Sequence, residues 1–124
     1  MTGLAFYPSH ALLGDVALAR ADTTQAVAEY EQAVELGPAD GVLHYRYARL
    51  LADDGRLADA EQELRRAIAL EPLFAPPYLA LALVLDTRGN RTEAQQQYRH
   101  YLESTYRNDP RITLAQERIT ALSR

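Results

Sequence analysis

Three histidines, His10, His44 and His100, are the side chains of this 124-residue chain best suited to proton transfer or metal ligation, and Asp53-Asp54 and Glu61 with Glu63 are its most conspicuous carboxylate pairs. An acid–base or zinc site needs such groups to converge. Their spacing offers no HExxH helix, Gly-rich phosphate loop or nucleophile elbow. His10 and His44 stand 34 residues apart at matching points of successive units, and His100 falls on another helix, so the three do not share one coordination sphere. Asp53-Asp54 sits at a helix end, and Glu61 and Glu63 cannot share a helical face, so both pairs are expected to be solvated charge. The chain has no cysteine, which removes disulfides, thiolate ligands and thiol nucleophiles. It is read as non-enzymatic, with no metal and no cofactor.

The same interval of 34 residues runs through the whole chain. It links Pro38 to Pro72, Gly14 to Ala48 to Ala82, Ala26 to Ala60 to Ala94, and Tyr30 to Leu64 to Tyr98. A fixed period of this size means stacked supersecondary units, none of which can bury its apolar face without a neighbour. Apolar spacings of three and four divide each unit into two amphipathic helices. In the second unit Asp40 caps a helix carrying Leu43, Tyr47, Leu50 and Leu51. Asp53-Asp54-Gly55 ends it, and a second helix carries Leu57, Ala60, Leu64, Ala67 and Ile68 before Pro72. The turns of the neighbouring units fall near Ala21-Asp22 and Arg88-Gly89-Asn90. After Asp109-Pro110, Ile112, Ala115, Ile119 and Leu122 form the stripe of a seventh helix, with Arg111, Gln116, Glu117, Arg118 and Thr120 on its watery side. The expected organisation is one all-α domain, with units at about 7–40, 41–74 and 75–108 and a capping helix at about 109–123.

The formal charge of −4 argues against a general grip on phosphate backbones, so nucleic acid is not an expected partner. All 13 basic residues are arginine, a usage that fits either bidentate carboxylate pairing or a GC-rich coding sequence, and the second reading is preferred. No run reaches the ~18 to 20 apolar residues of a membrane span. The opening Met1-Thr2-Gly3-Leu4 lacks the basic start of a signal peptide, so a soluble, cytoplasmic setting is expected.

Tyr47-Ala48, Leu51, Gly55, Ala60, Leu64, Ala67 and Pro72 together resemble the tetratricopeptide repeat signature, and Leu13-Gly14, Ala26, Tyr30, Ala33 and Pro38 repeat it, as do Leu81-Ala82, Ala94 and Tyr98. The resemblance implies a right-handed α-solenoid whose concave groove holds a peptide or helix of a partner protein. It places Ala11, Asp15, Leu18, Tyr45, Arg49, Ala52, Leu79, Leu83 and Asp86 on that groove. Leu79 and Leu83 stand out within the apolar run Tyr78–Leu85, because packing between repeats does not require them; they should be covered by the cap, a second chain or a ligand. Tyr45 offers an aromatic anchor and Arg49 a cation, with Asp15 and Asp86 as selecting charges. The basic and asparagine side chains of the family's clamp for C-terminal carboxylates are missing. The expected role is an adaptor; self-association and a chaperone for an apolar client are the alternatives.

Overall fold

Hydrogen-bond-accepting side chains open three of the helices, and the same turn closes the first member of each pair. Asp22, Asp40 and Asn90 accept backbone N–H bonds from Gln25, from Val42 and Leu43, and from Glu93 respectively. Gly55 and Gly89 follow the caps of their helices with φ of +80° and +86°, and Ala21 takes the equivalent place at φ 58°. A computed structural model describes residues 7–37, 39–104 and 111–123, the first four of them as backbone only. It contains α1 (Tyr7–Ala19), α2 (Thr23–Leu36), α3 (Gly41–Asp53), α4 (Leu57–Leu70), α5 (Pro76–Thr87), α6 (Arg91–Glu103) and α7 (Arg111–Leu122). The proposed cap Asp109-Pro110 and the closing Pro38 lie outside the described residues.

Pairs α1–α2, α3–α4 and α5–α6 pack as hairpins; α2 passes its outer face to α3, α4 to α5, and α6 to α7. The fold is an all-α solenoid. Small residues set the approach within each hairpin: Ala26, Ala48, Ala60, Ala82 and Ala94 are wholly buried. At Gly14 an added Cβ would come within 2.5 Å of the Tyr30 ring, so that crossing admits no side chain. Tyr30, Leu64 and Tyr98 fill the period's large position in successive units and are almost fully enclosed. Each such side chain is worth roughly 1.5 to 3 kcal/mol of burial.

Candidate interaction groove

Where the solenoid passes from its first unit to its second, a phenol, a carboxylate and a guanidinium from three helices meet. The Tyr30 hydroxyl of α2 donates to Asp15 of α1. From α3, Arg46 Nη2 donates to both Asp15 oxygens at 2.7 and 2.8 Å, and its guanidinium lies 5.3 Å from the centroid of the Tyr30 ring. Burial pushes the Asp15 pKa up, but the Tyr30 and Arg46 hydrogen bonds outweigh it and hold the carboxyl below its usual value. Burial, reinforced by Asp15, raises the Tyr30 phenol well above its ordinary range.

The passage from the third unit to α7 is built the same way. Tyr98 donates to Asp86 at 3.0 Å, and Arg118 closes a bidentate fork on Asp86 through Nε at 2.6 Å and Nη2 at 2.7 Å. The Arg118 hydrogen bonds, against the opposing effect of burial, lower the Asp86 pKa, with Tyr98 adding to them. Burial and then Asp86 push Tyr98 up to about 12.

The middle passage cannot form this staple. Moving each member of the first one along by 34 residues gives Arg49 for Asp15, Leu64 for Tyr30 and Ala80 for Arg46. Instead, Glu61 meets Arg88 and Arg65 meets Glu93, each at 2.6 Å, tying α4 to the end of α5 and the start of α6. Between α3 and α5 there remains an apolar hollow of about 160 Å³ lined by Ala48, Arg49, Ala52, Asp53, Leu64, Ala80, Leu83 and Val84. A second hollow of about 230 Å³, floored by the first staple, lies between α1 and α3 with Leu18 on its wall; Arg49 and Asp53 border both. Arg49 sits 5.8 Å from the Tyr45 ring centroid, and Tyr45 meets Phe74 edge-on at 5.5 Å.

Several sequence expectations need correction. Leu79 is only 7% exposed and belongs to the core, because α5 touches α3 as well as α4 and α6 and the chain itself closes that face; Leu83 keeps 40% of its surface open. Asp15 and Asp86 are engaged by the protein's own arginines rather than standing free to select a partner. Arg118, expected on the watery side of α7, makes the second of these contacts. Glu63 is buried, not solvated: it accepts from Arg66 at 2.7 Å and lies 2.6 Å from His44 Nδ1. Sequence reasoning overlooked Asp53 as a groove residue and Phe74 as the support of Tyr45. The signal available for the first staple was the break in the period at 49, 64 and 80; in the second only Tyr98 keeps the register, with Asp86 and Arg118 three and four residues beyond it. Among the described residues no three His, Asp or Glu side chains are arranged to hold a metal ion. Nor is any helix there long and apolar enough to cross a membrane.

Helix pairs of this register, with small residues at the crossings, define a helical-repeat protein, and the tetratricopeptide repeat profile matches residues 17–81. The chain belongs to the tetratricopeptide repeat family. It is 30% identical over 115 residues to the cytochrome c-type biogenesis protein CycH of Rhizobium meliloti (strain 1021), a match that takes in 90% of this chain and 30% of that protein's length. The crystal structure of MamA superposes with a TM-score of 0.84 at 21% identity, covering 95% of this chain and 67% of MamA. The first repeat domain of Spaghetti (RPAP3), bound to the HSP90 peptide SRMEEVD, superposes with a TM-score of 0.85 at 19% identity, covering 95% of this chain and 94% of that domain.

Proposed function

We propose that the chain is a non-enzymatic adaptor that binds a segment of another protein in its concave groove. An aliphatic side chain of that segment enters the hollow between α3 and α5, against Leu83 and Ala52. A neighbouring carboxylate pairs with Arg49, and a cation about one turn away meets Asp53. The observation that carries this reading is the contrast between junctions: the groove side of the outer two is crossed by Asp–Tyr–Arg contacts, whereas the hollow at the middle one is largely apolar and lies beside an arginine with no ion-pair partner among the described residues. An apolar anchor with a charge at its rim is a common plan for peptide recognition. The structural neighbour bound to SRMEEVD, a peptide with adjacent acidic residues, is consistent with a carboxylate at this rim.

Selection from a random peptide library tests the reading. Enriched peptides are expected to place Leu, Ile or Val within a few residues of Asp or Glu, and to bind Arg49→Glu at least about tenfold more weakly, the equivalent of ~1.4 kcal/mol. Binders without an acidic residue, held equally well by Arg49→Glu, would remove Arg49 from the groove's function.

A further inference from the structure

Arg49 has two competitors for its guanidinium on its own helix. Tyr45 lies one turn before it on α3, and Asp53, which borders the same two hollows, lies one turn after it. The guanidinium takes the ring: it lies over Tyr45, 5.8 Å from the centroid, and makes no ion pair with Asp53. Helix geometry favours that choice, because side chains lean toward the N-terminus and a cation pairs better with an acid four residues before it than four residues after. Tyr45 is itself held in place. It packs against the core, and Phe74, in the linker between α4 and α5, meets it edge-on at 5.5 Å and 88°, a favoured aromatic arrangement.

The first junction shows what an arginine set on a ring does in this chain. Arg46 lies over Tyr30 at 5.3 Å and turns Nη2 to both oxygens of Asp15. Arg49 has the ring without the carboxylate. The positions of Tyr45 and Arg49 are held by Ala11 and Asp15 in the first unit and by Leu79 and Leu83 in the third, so only the second unit pairs ring and arginine there.

We propose that Tyr45, braced by Phe74, is the positioning residue behind the groove's selectivity for carboxylates: it holds Arg49 away from Asp53 and leaves the guanidinium open to an acidic side chain of the bound segment. This role rests on the adaptor reading above. It makes Tyr45 a support for Arg49 rather than an anchor for the partner.

Selectivity is the quantity to measure. A library-selected acidic peptide and its analogue with Gln or Asn in place of the acid are titrated into each variant, and the ratio of the two dissociation constants is read. In Tyr45→Leu, Arg49 is free to turn to Asp53, and the ratio is expected to fall about two- to fivefold, the range of an exposed cation–π contact. Tyr45→Phe should keep the native ratio. Combining Tyr45→Leu with Asp53→Asn should restore most of it, a recovery that loosened packing cannot produce. In NMR spectra of the native protein, the Arg49 side-chain protons should be shifted upfield by the Tyr45 ring current.

A native ratio in Tyr45→Leu, a lost ratio in Tyr45→Phe, no recovery in the double variant, or unshifted Arg49 signals in the native protein would each overturn the proposal. Arg49→Gln separates the two levels. If it removes the selectivity and Tyr45→Leu does not, the groove reading stands and the positioning role falls; selectivity that survives Arg49→Gln removes both.

Discussion

Ala21 carries a side chain in the left-handed region that Gly55 and Gly89 occupy in the next two units. That conformation costs an L-residue about 1 to 2 kcal/mol, part of which glycine returns as chain entropy in the unfolded state. Ala21→Gly is therefore expected to raise stability by about 0.5 to 1 kcal/mol in denaturant unfolding; a lowered midpoint would show that the turn is not strained. Asp86 makes a pH-dependent contribution of definite sign. Arg118 and Tyr98 both favour its ionised form, so its folded pKa lies below the unfolded value. The stabilisation is complete above the ordinary carboxylate range and is lost as pH falls through the lowered pKa. Asp86→Asn is expected to flatten the acid limb of the stability curve. An unchanged slope would mean that the fork to Arg118 is not maintained in solution.

Helices and turns are legible in the sequence because their determinants are local. Asp22, Asp40 and Asn90 cap within three residues, and the positive φ positions fall on the period. The contacts between elements are not legible in that way, since they join residues such as Asp15 and Arg46, or Asp86 and Arg118, that lie about thirty positions apart. A helical wheel shows that Glu63 and Leu79 leave the main stripe, but whether water or another helix waits there depends on the curvature of the stack. Ala115 of α7 is legible as a stripe residue, and it is fully buried. Ala115→Glu would overpack that contact and bury a charge, at a cost of roughly 3 kcal/mol or more. Its expected signature is early hydrogen exchange throughout α7 and a lowered melting temperature. Melting like that of the native chain would contradict the docking of α7 on α6.

Across the whole molecule, the three junctions between units differ in a way that composition could not reveal. Two are crossed by a carboxylate held between a phenol and an arginine, and the middle one, bridged only at its outer side by ion pairs, carries an apolar hollow with Leu83 on its wall. On the proposed reading, such contacts on either side hold the walls of the groove in place, which lowers the ordering cost of binding a flexible segment. The decisive test is calorimetric titration of a library-selected peptide into the native chain and into Leu83→Glu, a substitution at a site already 40% exposed and so tolerated by the fold. Affinity should fall by about tenfold or more with the melting temperature unchanged; equal affinity for both proteins would show that the opening between α3 and α5 is not where the partner sits.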